Sequence, residues 1–246
     1  MASIPLMYAQ EDCELGGKEN IEDDFAYRNN VMSADKEIRL GFIRKVYGLL
    51  TIQLLATVAI AGVFLLCKPV QGFIHRNDWM LMIAFILSLV TLFALIAKRR
   101  DSPANLYLLA GFTVVQAYTV GVVVSFYDTF IVLQALGLTF AAVFALTVYT
   151  LNTKRDFSFV GYGLVAGLTV LIIGGLLQIF IQSSAFEIAL SFTGAVLFGL
   201  FLIFDTQQMM TTLSPEEYIL ATINLYMDII NLFLYILRIL NELNRN

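Results

Sequence analysis

Long apolar segments constrain the fold of this chain more than any other feature. Six segments have the roughly 20 mostly apolar residues that a bilayer crossing needs, and a seventh is long enough but contains polar residues. The predicted spans are Val46–Cys67, Trp79–Ala97, Leu106–Phe126, Phe130–Leu151, Phe159–Ile181, Ala185–Phe204 and Tyr218–Leu240. Only 14% of the 246 residues are charged, against about 25% in soluble domains. We therefore predict an all-α fold: a polytopic membrane helical bundle with seven transmembrane helices and short loops, whose last segment either crosses the membrane or re-enters it.

The N-terminal region has a different composition from the rest of the chain. Residues 1–44 are polar and acidic, and the stretch "QEDCELGGKENIEDDF" contains no apolar core of a cleavable signal. We predict a flexible acidic tail over residues 1–44 and the bundle over residues 45–246. Near the span ends, ten Lys and Arg residues lie on the N-terminal side of the membrane and two on the other side. This bias predicts a cytoplasmic N-terminus.

Motifs of known enzyme classes do not emerge from the sequence. His75 is the one histidine, and there is no His-Glu-x-x-His helix, no Gly-x-Ser-x-Gly elbow and no phosphate-binding glycine loop. Aspartic proteases share one proton between two carboxyls, but the flanking residues here do not favour that reading. We expect no enzymatic activity, no catalytic residues and no cofactor. The expected environment is the lipid bilayer, with no nucleic-acid partner.

The last apolar segment contains an unusual set of polar residues. Glu217, Asn224, Asn231 and Arg238 are spaced by seven, and Asp228 lies on the same helical face. A charge at the bilayer centre costs at least about 2.5–3.5 kcal/mol, so such residues normally face the bundle interior and have a partner. The opposite face is wholly apolar and comprises Ile219, Ile223, Ile230, Leu234 and Leu237. The pattern predicts that Asp228 faces inward.

A second acid, Asp205, lies at a compatible depth on the preceding helix. Asp228 is roughly 20 Å into its helix and Asp205 roughly 10 Å from the end of its own, and the two helices are antiparallel neighbours. Two carboxyls brought together in a low dielectric share a proton and titrate as one unit. With an amide oxygen they would also form a weak, transient calcium site. A generic alternative is that hydrogen bonds satisfy both acids, which then only fix helix packing.

Other charged and polar residues near the pair have two readings each. Lys98, Arg99 and Arg100 are the obvious candidates for a basic partner of the aspartates. Ser214, Pro215 and Glu217 have the spacing of a helix capping box, which accounts structurally for Glu217 and its neighbour Glu216. Alternatively, those two glutamates attract cations into a vestibule. The asparagines at 224 and 231 would then line the pore below it.

Several motifs resemble one known family. "FDTQQMM" followed by "LSPEEYILATINLYMDIINLFLYILR" is similar to the C-terminal signature of the Bax-inhibitor (transmembrane Bax inhibitor motif, or Lifeguard) family. "IEDDF", "FIRKVY", "NLYLLAGFT", "VVVSFYD" and "LTVYTLNTKRDFS" resemble its Golgi anti-apoptotic protein branch. The resemblance covers essentially residues 21–246.

The resemblance carries specific expectations about fold and function. It implies seven helices with one at the centre, residence in Golgi and endoplasmic reticulum membranes, a pH-sensitive calcium leak and inhibition of apoptosis. It assigns the family's two-aspartate pH sensor to Asp205 and Asp228, with Lys98 or Arg99 in register with an arginine partner. Calcium would be the permeant ion, and candidate partners are apoptosis regulators or calcium-release channels. A monomer or weak homo-oligomer is expected. The alternatives are a non-conducting scaffold acting through its acidic residues 11–24, and a calcium/proton exchanger.

Overall fold

The computed structural model describes residues 31–32, 36–77, 79–153 and 155–245. Its α-helices in chain order are α1 (Lys36–Leu66), α2 (Lys68–Arg76), α3 (Trp79–Ala97), α4 (Ala104–Val124), α5 (Thr129–Asn152), α6 (Gly161–Ile181), α7 (Ser184–Thr211) and α8 (Tyr218–Arg245). Short 3-10 turns, Ser158–Val160 and Pro215–Glu217, precede α6 and α8. All of these helices except α2 are long and apolar enough to cross a membrane. The prediction of a seven-helix polytopic bundle is confirmed.

The first two helices differ from the prediction in extent and number. The first spanning helix begins at Lys36 rather than Val46, so residues 36–44 of the predicted tail are helical. The remainder of that tail, including the acidic stretch 11–24, lies outside the described residues except for Val31 and Met32. The short helix α2 was not predicted. It lies against the end of α4, where His75 Nε2 is 3.1 Å from Ser125 Oγ and Gln71 Nε2 donates to Ser125 O at 2.7 Å.

Helix α8 occupies the centre of the bundle. It packs mainly against α1, α5 and α7 and makes a smaller contact with α4, whereas α3 packs mainly against α4, and α6 mainly against α7. In its most apolar stretch 61% of the residues are buried, against 17% for α3 and for α6. The last segment is therefore one continuous, enclosed helix, and this arrangement positions its polar residues inside the bundle.

The contact between α7 and α8 depends on a residue without a side chain. A Cβ atom added to Gly194 would lie 2.5 Å from Tyr235 Cε1, closer than real carbon contacts allow. The Tyr235 ring also stacks on Phe198, with centroids 5.7 Å apart, and so has little room to move away. Close approach of these two helices brings together the segments that carry Asp205 and Asp228.

Candidate intramembrane carboxyl site

Asp205 on α7 and Asp228 on α8 lie side by side inside the bundle. Asp228 is buried, with 5% of its surface exposed, and Asp205 is half-buried. Their carboxyl groups lie within hydrogen-bonding reach of each other. The structure thus brings together the two residues that depth and periodicity place near each other.

The contact between two carboxyl groups has a chemical consequence. An ionised carboxylate only accepts hydrogen bonds, so a hydrogen bond between these two groups requires that one of them carries a proton. Asp228 Oδ2 is buried and has no hydrogen-bond partner among the described residues. This oxygen is therefore available to accept a proton or to coordinate a cation. Two carboxyl groups this close to each other would titrate as one system.

The polar and apolar faces of α8 are both enclosed. Asn224 and Asn231 are half-buried on the aspartate face, and the Asn231 amide donates to Met227 O at 2.8 Å. Four of the apolar residues on the opposite face are buried and the fifth is half-buried: Ile219, Ile223, Ile230, Leu237 and Leu234. The polar stripe therefore marks the face toward α7, and the apolar face packs on the rest of the bundle.

The basic residues after α3 contact a different acid from the one expected. Arg99 Nη2 and Arg100 Nη2 lie 3.1 Å and 2.8 Å from the same atom, Glu217 Oε1. Lys98 Nζ lies 2.9 Å from Asp101 Oδ2. Within the described ranges, the ion pairs of these three cations thus go to carboxylates near the end of the bundle and not to the buried pair. The arginines and Glu217 lie far apart in the sequence, and no local sequence pattern indicates that they are in contact.

The start of α8 follows the predicted capping pattern only in part. The Ser214 hydroxyl accepts a hydrogen bond from Glu216 N at 3.4 Å, as an N-cap residue does. Glu217, however, directs its carboxylate to the two arginines rather than back to the cap. Glu216 is exposed. Tyr218 adds two further contacts, with Lys45 Nζ 3.3 Å from its ring centroid and Asn105 Nδ2 donating to its hydroxyl at 3.0 Å.

A second polar cluster lies between α1, α4 and α8, on the face of α8 away from Asp228. Gln53 Nε2 donates to Thr113 Oγ1 at 2.8 Å, and Thr57 Oγ1 is 2.8 Å from Tyr226 Oη. The Thr57 hydroxyl already donates to Gln53 O, so Tyr226 is the donor in that contact. Sequence reasoning missed this cluster. The one-turn spacing of Gln53 and Thr57 in α1 could have indicated it.

The ligands that the site offers to a metal ion are few. Among the described residues, no three His, Cys, Asp or Glu side chains come together in a group able to hold a metal. Calcium ordinarily takes six to eight oxygen ligands. Two carboxyls supply only some of these, so the remainder would have to come from water, amide or backbone oxygens. Such a site fits a passing cation better than a resident one.

Fold and site together define a multi-pass helical membrane protein with a carboxyl pair enclosed between two of its helices. Residues 39–246 match the family described as "Inhibitor of apoptosis-promoting Bax1". The chain belongs to this family, as its motifs predict.

Similar proteins come from distant organisms and match over nearly their whole length. The "Golgi anti-apoptotic protein" of Vaccinia virus (strain Lister) is 48% identical over 231 residues, which cover 94% of this chain and 98% of the viral protein. "Protein lifeguard 4" of Mus musculus is 45% identical over 228 residues, with 93% and 96% covered. "Bax inhibitor 1" of Schizosaccharomyces pombe is 35% identical over 247 residues, with 100% and 92% covered.

Proposed function

We propose that this protein is a pH-sensitive calcium leak of Golgi and endoplasmic reticulum membranes, which lowers stored calcium and inhibits apoptosis. The names of the viral and mouse relatives and the family support an anti-apoptotic role in a Golgi membrane. The observation that carries the conductance part is the enclosed Asp205–Asp228 pair. A buried carboxyl pair is costly in a bundle that needs only packing, which favours a functional role.

In the proposed mechanism, conductance depends on whether the Asp205–Asp228 pair carries a proton. When a proton joins the two carboxyls, α7 and α8 are held together at this level of the membrane. When both carboxyls are ionised, their mutual repulsion is relieved by a cation that enters between them. Because the pair offers few ligands, that cation would leave again quickly, as permeation requires. Conductance would therefore change with pH over the range in which the pair titrates.

Arg99, Arg100 and Glu217 have a separate place in this mechanism. Their ion pairs tie the loop after α3 to the start of α8. This is the end of the bundle that the Lys and Arg bias predicts to be cytoplasmic. We propose that this contact keeps that end closed and that the aspartate pair acts deeper in the bundle. A cation leaving the pair would pass Glu217 next.

Calcium flux through the purified protein in liposomes, measured across pH with an enclosed indicator, tests this function. Asp205→Asn and Asp228→Asn should each remove most of the pH dependence, because an amide side chain does not ionise in this pH range. Asp128→Asn is a matched control, since Asp128 is an exposed carboxylate that caps α5 by accepting from Phe130 N. Unchanged pH dependence in both buried-site variants would refute the mechanism.

Two alternative functions give different results in the same system. A calcium/proton exchanger would use the same two aspartates, but its flux would depend on the proton gradient rather than on pH alone. A non-conducting scaffold would protect cells through partner proteins, and deletion of residues 11–24 would abolish protection. Under the leak mechanism, that deletion spares protection while Asp228→Asn removes it.

A further inference from the structure

A cleft opens at the end of α3, beside the loop that leads into α4. It has a volume of about 490 Å³ and is lined by Ile96, Ala97, Arg99, Arg100 and Asp101. Ile96 and Ala97 are the last two residues of the membrane span Trp79–Ala97, and the other three lie just beyond that span. The cleft therefore has an apolar wall and a charged wall, and it lies where the hydrocarbon of a bilayer gives way to the headgroups.

The charged wall carries an excess of positive charge. Arg99 and Arg100 both direct an Nη2 atom to one oxygen, Glu217 Oε1. Lys98 and Asp101 pair with each other and leave this excess unchanged. Each guanidinium has five N–H donors in a fixed fork. Two forks that share a single carboxylate oxygen retain donors for a further anion.

A purely structural ion pair accounts poorly for this arrangement. One arginine would suffice to tie the loop to Glu217, and a second cation of the same sign adds repulsion. The two arginine side chains are also unequally exposed, at 34% and 58%, while that of Glu217 is only 12% exposed. The carboxylate thus occupies the inner side of an anion-binding position whose outer side faces the membrane surface.

The apolar surroundings indicate what kind of anion fits. The outward face of α3 is apolar and exposed along its length, including Ile86, Val90, Phe93 and Ile96. In a membrane this face is covered by acyl chains, which reach the cleft at Ile96. A ligand anchored here by its chains presents its phosphate directly to the arginine forks.

We propose that the cleft at Arg99 and Arg100 binds an anionic membrane lipid whose headgroup carries a phosphate monoester. A dianionic monoester competes with the single charge of Glu217 for the two guanidinium groups better than a phosphodiester does. Binding would exchange the Glu217 contact for a phosphate contact and so loosen the link between the loop after α3 and the start of α8. The lipid site itself does not include Asp205 or Asp228.

The test uses the full-length protein in phosphatidylcholine nanodiscs, titrated with dioctanoyl phosphatidic acid and observed by native mass spectrometry. Arg99→Gln combined with Arg100→Gln should weaken binding by about tenfold or more, because both forks are lost. Arg155→Gln is the matched control, since it removes an exposed arginine from another loop at the same end of the bundle. It should change the affinity less than about twofold.

The decisive variant is one that we expect to bind the lipid more tightly. Glu217→Gln removes the competing carboxylate and should tighten lipid binding several-fold, a result that misfolding cannot produce. The proposal is overturned if Glu217→Gln leaves the affinity unchanged or lowers it, or if Arg155→Gln weakens binding as much as the double substitution. It is also overturned if dioctanoyl phosphatidylcholine binds equally well, or if inorganic phosphate competes at the same concentration as the lipid, which would indicate a site for a free anion.

Discussion

Arg100 Nη2 lies 2.8 Å from Glu217 Oε1 and joins residues that are 117 positions apart in the chain. The same oxygen forms an ion pair with Arg99 Nη2 at 3.1 Å, so one carboxylate holds the loop after α3 against the start of the central helix. Since α3 otherwise packs mainly against α4, this ion pair is a direct link between an outer helix and α8. Arg99 and Arg100 therefore stabilise the end of the bundle and do not contact the buried aspartates.

The first prediction concerns the energetic coupling across this link. Glu217→Gln and the double substitution of Arg99 and Arg100 by Gln should destabilise the protein by less in combination than the sum of their separate effects. We expect a coupling energy of about 0.5–1 kcal/mol, at the modest end for contacting residues because both arginines are partly exposed. Thermal unfolding of the four proteins in detergent micelles measures it.

A neighbouring Lys–Asp ion pair serves as the control for that cycle. Lys98 and Asp101 are about equally exposed, with 59% and 58% of their side-chain surfaces accessible. Their coupling energy should be close to zero, since solvent screens the pair on both sides. Equal coupling in the two cycles would show that the Glu217 link has no special strength.

The second prediction concerns Lys98 and the pH dependence of calcium flux. The hydrogen bond that Lys98 donates to the Asp101 carboxylate, and then the negative charge of Asp101, raise the pKa of Lys98. Because the folded-state pKa lies above the unfolded one, the contribution of this pair is complete below the unfolded value, about 10.4, and is lost as pH rises through the folded value. Lys98 therefore stays charged throughout the range from about pH 5 to pH 8.

It follows that Lys98 cannot report pH changes in that range. Lys98→Gln should leave the midpoint of the pH dependence of flux unchanged in liposomes, whatever it does to the absolute rate. Asp228→Asn, measured in the same preparation, should remove the dependence. A shifted midpoint in Lys98→Gln would mean that the lysine contacts the aspartate pair in the conducting state.

The spans and the aspartate pair were predictable because both depend on local sequence. An apolar run of sufficient length specifies a membrane helix, and the predicted bounds Trp79–Ala97 are those of α3. Periodicity and depth along two consecutive helices likewise place Asp205 beside Asp228. The start of α1 at Lys36 was missed because its first turns are polar, so hydropathy gives no signal there.

Contacts between distant segments were less accessible to sequence reasoning. The spacing of residues along a helix shows which of them share a face, but it does not show which helix covers that face. The apolar face of α8 is therefore compatible from sequence alone with either lipid or protein, and the structure buries it. For the same reason, nothing in the sequence indicated that the arginines after α3 meet Glu217 rather than the aspartates.

The third prediction separates the two polar clusters that flank α8. Tyr226→Phe removes the hydrogen bond to Thr57, whose hydroxyl is still satisfied by Gln53 O. We expect a loss of about 1 kcal/mol in the free energy of unfolding, measured in detergent micelles. Tyr107→Phe, which removes the hydroxyl of a 75% exposed tyrosine, should change it by less than about 0.5 kcal/mol.

Tyr226→Phe should not alter the pH dependence of calcium flux. Tyr226 lies two residues from Asp228 in the chain, but its side chain points to α1 while that of Asp228 points to α7. If the aspartate pair alone senses protons, calcium flux through Tyr226→Phe retains the midpoint of the unsubstituted protein even though the bundle is less stable. A midpoint shift comparable to that of an aspartate variant would instead show that α8 couples its two faces and that the sensor extends across the helix.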